Sequence, residues 1–394
     1  MAINTSPAQR HAVLFHGKSG EYFSIWLVNA LLTIVTLGIY SAWATVRRRR
    51  YFYGNTEIAG DRFDYHARPV DILKGRIIVI VGMMAFFILA AVMPTISLLF
   101  MLAFLALIPW IVIRSWRYNA LMSSYRGVRF NYHCRIGRAY WTMYLCPVLL
   151  VLALYLLLTL VGLTAAGAGN ITTMLVIGLL TFVMLIVGLS VIQGIVAALN
   201  HDLYVNNMAF GDLPFKANLS KKTYIKMVLV SFLIMAPFLI VAGLLISSLF
   251  TSLFFAVAYG GDPEMMNNLL LGNIASLLLT FVVLIFGGLI SAGWLMVAQR
   301  NYLFKQTTLG DNIQLKSDLQ TMPFLLLMLT NTLIVIFTLG FGTPVAEIRM
   351  ARYLAKCTAL EGDMALLNVH AHQQSAHTAV AEEVAQAFDL NVGI

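Results

Sequence analysis

The sequence predicts an all-α fold, a polytopic transmembrane helical bundle of six to eight membrane segments with internal repeats and short cytoplasmic strand and turn motifs. The first observation is composition: the 394 residues are 60% hydrophobic and 11% charged, whereas soluble domains average about 45–50% apolar and about 25% charged residues. The second is a set of apolar runs long enough to cross a bilayer. The third is the complete separation of basic residues from those runs.

Three long apolar runs each divide into two membrane segments. A transmembrane helix needs roughly 20 apolar residues, and Pro94 interrupts the first run near its middle. The predicted pairs are 77–92 with 96–113, 140–162 with 171–198, and 227–257 with 270–297. Two single apolar segments, 22–46 and 323–346, flank this set.

The basic residues predict the orientation of the chain. All 26 Lys and Arg lie in the polar stretches 1–21, 47–76, 114–138, 199–226, 298–322 and 347–363. The positive-inside rule makes these stretches cytoplasmic. The linkers 163–170 and 258–269 contain no Lys or Arg and are predicted to be periplasmic. The net charge of +9 is therefore explained by cytoplasmic loops, and we expect no nucleic-acid partner.

The two single segments are predicted to be re-entrant hairpins. Each contains Thr-Leu-Gly about two-thirds of the way along, at Thr36 and Thr338. A single crossing by 323–346 would leave Arg349, Arg352 and Lys356 outside, against the charge rule. The alternative is eight plain spans, since both segments are long enough to cross.

An internal repeat organises residues 1–365, the predicted membrane domain. A shift of 302 residues places 29–61 on 331–363, and a shift of 67 places 43–66 on 110–133. The full unit has a membrane helix with an interfacial aromatic residue, Arg at i and i+3, a glycine turn and a short Phe-x-Tyr strand; the copies near 294–315 and 200–215 are weaker. The copies lie near 43–66, 110–133, 200–215, 294–315 and 345–363. Residues 366–394 are predicted to be a soluble cytoplasmic tail.

The repeated arginines are candidate contacts for anionic phospholipids or another anionic ligand. Arginines three residues apart share one helical face and can bind lipid phosphates. The alternative is simple anchoring at the membrane interface. The candidates are Arg47, Arg50, Arg114, Arg117, Arg349 and Arg352.

The membrane interior contains only neutral polar residues. All 17 acidic residues lie outside the apolar cores or at their edges, which argues against a carrier coupled to ions through a buried carboxylate. The pairs Asn29/Asn331 and Thr36/Thr338 match in the repeat and are candidates for an intramembrane polar site. The alternative is that they bond neighbouring helices.

Sequence motifs for catalysis or metal binding were sought and not found. There is no Walker loop, HExxH or GxSxG, and the three cysteines lack metal or redox spacing. We therefore predict no enzyme activity, no catalytic residues, no metal site and no cofactor.

Several segments resemble the YjgN-like family of bacterial inner-membrane proteins. They are Phe15-His16-Gly17, Glu21-Tyr22-Phe23, Thr36-Leu37-Gly38-Ile39-Tyr40-Ser41-Ala42-Trp43 and Arg50-Tyr51-Phe52-Tyr53-Gly54-Asn55-Thr56. The resemblance implies a multi-pass protein of the Gram-negative inner membrane. That family is a domain of unknown function, so it supplies no catalytic residues.

Two function classes remain. The first is a transporter or channel for a small solute, because repeats with interrupted helices recur in transporters. The second is a non-transporting lipid-binding, scaffold or assembly protein that uses its basic cytoplasmic face. A polar cavity at mid-membrane favours the first, and an Arg-lined cytoplasmic groove favours the second.

Overall fold

The computed structural model describes residues 9–167, 170–258, 260, 263–310 and 312–364. The predicted tail, 366–394, lies outside them. Six helices are long and apolar enough to span a membrane, and at most 17% of the most apolar window of any of them is buried. The three predicted pairs are confirmed, and most of the apolar surface of the spans is available to lipid. The six spans are Pro69–Val92, Thr95–Met122, Ile136–Thr164, Ile171–Val205, Lys221–Ala258 and Ile274–Gln306.

The helices and strands alternate along the chain. The helices are α1 (Ser19–Val35), α2 (Ser41–Gly54), α3 (Pro69–Val92), α4 (Pro94–Met122), α5 (Ile136–Tyr140), α6 (Cys146–Ala166), α7 (Ile171–Val205), α8 (Lys221–Ala258), α9 (Pro263–Gly272), α10 (Ile274–Gln306), α11 (Thr321–Phe337) and α12 (Thr343–Lys356); a π-helical turn, Trp141–Leu145, joins α5 to α6. The strands are β1 (Arg10–Phe15), β2 (Thr56–Ile58), β3 (Asp61–Tyr65), β4 (Ser123–Tyr125), β5 (Val128–Tyr132), β6 (Met208–Phe210), β7 (Leu213–Ala217), β8 (Thr307–Leu309), β9 (Ile313–Ser317) and β10 (Thr358–Glu361).

The prediction of an all-α fold is wrong, because the ten strands close into an antiparallel barrel. The order around the barrel is β1-β10-β9-β8-β7-β6-β5-β4-β3-β2. Four hairpins follow one another, and the first and last strands pair to complete the ring. Each strand has only three to six residues, and membrane helices separate the hairpins. Local sequence patterns therefore predict the short strands but not their long-range pairing.

All five helix pairs leave the barrel from the same end. The last residue of one hairpin pairs with the first residue of the next, as Tyr65 does with Ser123 and Tyr132 with Met208. In antiparallel strands, such residues lie at one end and the hairpin turns lie at the other. The turns Ala59-Gly60 and Arg126-Gly127 have positive φ at both residues, as two-residue hairpins of this type require. The barrel therefore caps one side of the membrane helices, the side predicted to be cytoplasmic.

The repeated Phe-x-Tyr strand connects the barrel to the helices. Phe63 and Phe130 pack in the barrel core, whereas Tyr65 packs among residues of α2, α3 and α4. Tyr132 packs in the same way against α4 and α7. Residues i and i+2 share one face of a strand. On this inward face, the Phe packs inside the barrel and the Tyr packs where the barrel meets the helices.

The two single apolar segments form hairpins with helix breaks at the predicted glycines. Helix α1 ends at Val35 and α2 begins at Ser41. Gly38 donates its backbone N–H to Thr33 O at 2.7 Å, and Gly340 donates to Val335 O at 2.8 Å, which are the closing bonds of helix C-terminal turns. Since β1 and β2 pair with each other, the α1–α2 hairpin starts from and returns to the barrel.

Candidate functional site: a chamber between the helices and the barrel

A cavity of about 480 Å³ lies where α2, α4, α7 and α12 converge on the barrel. We call it the central chamber. Most of its residues lie within the last turns of helices that end just before a strand. The cavity therefore lies at the ends of these helices, next to the barrel. The lining residues are Arg48, Arg49, Phe52, Tyr53, Trp116, Asn119, Tyr204, Glu347, Met350, Ala351 and Leu354.

Equivalent positions of three repeat copies face the chamber. The shifts of 67 and 302 residues place Arg49 on Trp116 and on Ala351, and all three side chains line the cavity. The same shifts relate Phe52 to Asn119 and Leu354, which also line it. The chamber therefore lies inside a quasi-symmetric ring of helices, but its chemistry differs from copy to copy.

The arginines that the repeats share do not line the chamber, and four of them have described contacts elsewhere. Arg50 donates from Nη2 to Ala67 O at 3.0 Å, and Arg352 donates to Gly17 O at 3.1 Å. Ala67 and Gly17 lie in equivalent loops between a strand and the next helix. Arg349 donates to Thr330 Oγ1 at 3.0 Å, and the Arg114 guanidinium lies 5.6 Å from the Trp110 ring centroid.

The other two shared arginines are Arg47, which is exposed, and Arg117, whose buried Nε has no hydrogen-bond partner. The contacts of Arg50 and Arg352 with loop carbonyls support a role in holding the fold together for these two residues.

Arg49 projects into the chamber and joins α2 to α4. Its Nη1 donates to Asn119 Oδ1 at 2.6 Å and to Tyr65 Oη at 2.7 Å, and the guanidinium lies over the Tyr65 ring. Both of these acceptors are neutral.

Arg48 is the second chamber cation and has an acidic partner. Its Nη1 lies 3.5 Å from Glu347 Oε1 on α12. Tyr22 Oη donates to the other carboxylate oxygen of Glu347 at 2.6 Å. The lining of the chamber therefore contains two guanidinium groups and one carboxylate.

Trp116 supplies an unused hydrogen-bond donor. The residue is 6% exposed, lines the chamber and has no partner for its indole Nε1. Its ring is fixed by edge contacts with Tyr204 and Tyr132 at centroid distances of 5.0 and 5.8 Å. Buried indole N–H groups usually find an acceptor, and this one has none among the described residues.

A mainly apolar cavity of about 460 Å³ adjoins the chamber and shares Met350 and Leu354 with it. Its other lining residues come from α7, α10, α11 and the loop before α11, and include Met296, Met328 and Phe324. We call it the apolar annex.

Aromatic and aliphatic residues fill the interior of the barrel. A residual cavity of about 210 Å³ remains there, lined by side chains such as Phe63, Phe130, Phe210 and Phe215. The Arg300 guanidinium at the annex lies 4.4 Å from the centroid of Phe304, another residue of this lining. The barrel interior is thus an apolar, mainly aromatic layer beneath the chamber.

The predicted intramembrane polar residues lie in the end hairpins rather than in the chamber. Asn29 and Asn331 are buried, and their Oδ1 atoms lack a partner. Asn331 Nδ2 donates to Ala346 O at 3.2 Å, which joins α11 to α12. Thr36 and Thr338 accept backbone N–H bonds within the hairpin turns at 2.9 and 2.6 Å. Their role in a site stays a prediction.

Sequence reasoning missed the residues that line the chamber. It selected the positions that the copies share, whereas Arg48, Arg49, Trp116, Asn119 and Glu347 occupy positions that differ among copies. A signal was present in the run of four arginines at 47–50, because the repeat pattern accounts only for Arg47 and Arg50. Among the described residues, no group of three or more His, Cys, Asp or Glu side chains is placed to hold a metal ion.

This architecture defines a class of protein: a multi-pass helical membrane protein whose helix pairs converge on a hairpin barrel. Residues 10–387 match the family described as "Bacterial protein of unknown function (DUF898)", and the chain belongs to that family. No solved structure matches it.

The names of the relatives place them in the inner membrane. The inner membrane protein YjgN of Salmonella typhimurium (strain LT2) is 31% identical over 365 residues, covering 92% of this chain and 91% of the relative. The YjgN protein of Escherichia coli K12 is 29% identical over 369 residues, with the same coverage. The chain is therefore a multi-pass inner-membrane protein, as predicted.

Proposed function

We propose that the protein binds an anionic phospholipid, with the headgroup in the central chamber and an acyl chain in the apolar annex. The observation that carries the proposal is that the two cavities share Met350 and Leu354 in their linings. One side offers Arg48, Arg49 and the Trp116 N–H, and the other offers methionine and leucine side chains. An amphiphile with a negative headgroup fits both sides, whereas a small polar solute fits only the first.

The position of the chamber also favours lipid binding over transport. The chamber lies at the barrel ends of the helices, not in the middle of the apolar spans. A polar solute that moved along the barrel axis would have to cross the aromatic layer of the barrel interior, which is costly for a polar group. The proposal involves binding alone and no catalytic step.

A binding measurement with matched lipids tests this function. The purified full-length protein in detergent is titrated with phosphatidylglycerol or phosphatidylcholine of identical acyl chains, and native mass spectrometry counts the bound lipid. We expect phosphatidylglycerol to bind at least tenfold more tightly, because a hydrogen bond to a charged group contributes about 1.5–3 kcal/mol. Equal affinity for the two lipids would contradict the proposal.

Variants locate the binding to the chamber. Arg49→Gln and Trp116→Phe should each weaken phosphatidylglycerol binding about tenfold. Trp116→Phe removes only the free N–H and keeps an aromatic ring against Tyr204. Arg47→Gln removes an exposed charge from the same helix and should leave the affinity unchanged. If Arg47→Gln weakens binding as much as the chamber variants do, the site is a general basic surface instead.

A soluble headgroup separates lipid from free phosphate compounds. Glycerophosphoglycerol carries the same phosphodiester anion without the apolar chains. We expect it to compete with the lipid only at concentrations far above those of the lipid itself, because it leaves the annex empty. Competition at equal concentration would assign the chamber to a soluble phosphate compound.

A further inference from the structure

Among the residues that the structure describes, Glu347 is the only acidic side chain that lines either the central chamber or the apolar annex. It lies in the second turn of α12 and reaches Arg48 of α2 at 3.5 Å. A carboxylate beside a binding site for an anion opposes that anion. Its presence in the chamber therefore requires an explanation beyond general anion binding.

A buried tyrosine fixes the position of this carboxylate. Tyr22 of α1 is 1% exposed and donates to Glu347 Oε2 at 2.6 Å. The tyrosine ring is held in turn by Tyr51 and Phe52, at centroid distances of 5.3 and 5.0 Å. Because three helices hold the group, Glu347 is a preorganised part of the chamber wall.

Glu347 is not part of the repeated scaffold. The shift of 302 residues places it on Thr45, and the shift of 67 then places Thr45 on Val112. Thr45 accepts a hydrogen bond from Arg76 Nη2 at 3.0 Å, so the threonine copy of this position serves a different contact. Glu347 therefore occupies a position that differs among the repeat copies, as Arg48 and Arg49 do.

We infer that Glu347 sets the headgroup class, so that the chamber takes a singly charged phosphodiester and disfavours a doubly charged phosphomonoester. This inference rests on the proposed function. The lining contains two arginines, which can pair with the single charge of a phosphodiester, and one carboxylate. A phosphomonoester carries about −1.5 to −2 at neutral pH, and the second charge meets the fixed carboxylate. Repulsion of a competing ligand is a common basis of specificity.

The test compares two lipids with identical acyl chains, one with a phosphodiester headgroup and one with a phosphomonoester headgroup. Phosphatidylglycerol and phosphatidic acid with identical acyl chains are titrated at pH 8, where the phosphomonoester is fully ionised. The wild-type protein should prefer phosphatidylglycerol, and Glu347→Gln should shift the affinity ratio about tenfold toward phosphatidic acid, as expected for removing a unit charge a few ångströms away.

A matched control uses the same substitution elsewhere. Glu361 forms an ion pair with Lys316 at 3.1 Å on the barrel, and Glu361→Gln should leave the ratio unchanged. Tyr22→Phe keeps the carboxylate but frees it, and should shift the ratio in the same direction by a smaller factor.

The outcomes separate this inference from the proposed function. If Glu347→Gln binds phosphatidylglycerol but leaves the ratio unchanged, the role of Glu347 is overturned and the lipid site stands. A wild-type preference for phosphatidic acid would overturn the inference in the same way. If the wild-type protein binds neither anionic lipid more tightly than phosphatidylcholine, the proposed function itself fails.

Discussion

Leu37 and Leu339 adopt the same left-handed backbone conformation, with φ of 49° at both residues. Each precedes a glycine with φ of 92°, and each follows a threonine whose hydroxyl accepts a backbone N–H four residues further on. Two turns at opposite ends of the chain are therefore built alike. The first and last helix hairpins therefore have the same turn geometry.

The hairpin turns should depend on Gly38 and Gly340. Nothing lies within 4 Å of a Cβ built at Gly38, but its φ is strongly positive. Gly38→Ala should therefore cost about 1–2 kcal/mol of stability through backbone strain alone. Thermal unfolding in detergent measures this effect. Gly243→Ala is the control, because Gly243 lies within α8, also has open space around it and has no positive φ. A loss at Gly243 equal to that at Gly38 would refute the explanation.

The shared arginines should contribute to stability rather than to binding. Arg50→Gln and Arg352→Gln remove donors from the loop carbonyls of Ala67 and Gly17. We expect each to destabilise the protein by about 1–3 kcal/mol without changing lipid headgroup selectivity. Arg47→Gln should change stability by less than about 0.5 kcal/mol. Unfolding midpoints and the lipid titration, measured on the same samples, distinguish the two effects.

Closure of the barrel pairs the first strand, β1, with the last strand, β10, and can be tested by crosslinking. Ala12 of β1 pairs with Ala359 of β10. Facing Cα atoms in antiparallel strands lie about 4.5–5.5 Å apart, within the range for a disulfide. In a background without native cysteines, Ala12→Cys with Ala359→Cys should form a disulfide upon mild oxidation. Ala12→Cys with Ala209→Cys, which lies on β6, should not. A crosslink in neither pair would contradict barrel closure.

The orientation in the membrane is a further prediction. Asn170 and Asn267 lie within the linkers that contain no Lys or Arg, whereas Asp212 lies in a hairpin turn of the barrel. Cysteines at Asn170 and Asn267 should react with an impermeant thiol reagent in cells with a permeabilised outer membrane, because the basic loops are predicted to be cytoplasmic. A cysteine at Asp212 should react only after lysis. Equal labelling at all three positions would contradict this topology.

Much of the helical architecture could be predicted because its signals are local. Pro94 marks the first membrane hairpin, and the Thr-Leu-Gly segments mark the two helix breaks. The barrel could not be predicted in the same way. Its strands pair across intervening membrane helices, as β5 does with β6, and nothing in a strand of three residues specifies a partner so distant in sequence.

The chamber was missed for a different physical reason. Repetition selects residues that every unit needs for folding, such as Arg50 and Arg352. A ligand site inside a quasi-symmetric ring is lined instead by positions where the copies differ, because a single ligand is not itself symmetric. Arg49, Trp116 and Ala351 occupy one repeat position and have three different chemistries.

The most direct test of the central claim is a cryo-electron microscopy structure of the protein in nanodiscs that contain phosphatidylglycerol. The account predicts density for a phosphate group between Arg49 and the Trp116 indole nitrogen, continuous with an acyl chain that passes Met350 and Leu354 into the annex. The density should disappear in a matched structure of Trp116→Phe with Arg49→Gln. A chamber without lipid density in the wild-type protein, with phosphatidylglycerol resolved elsewhere on its surface, would contradict the claim.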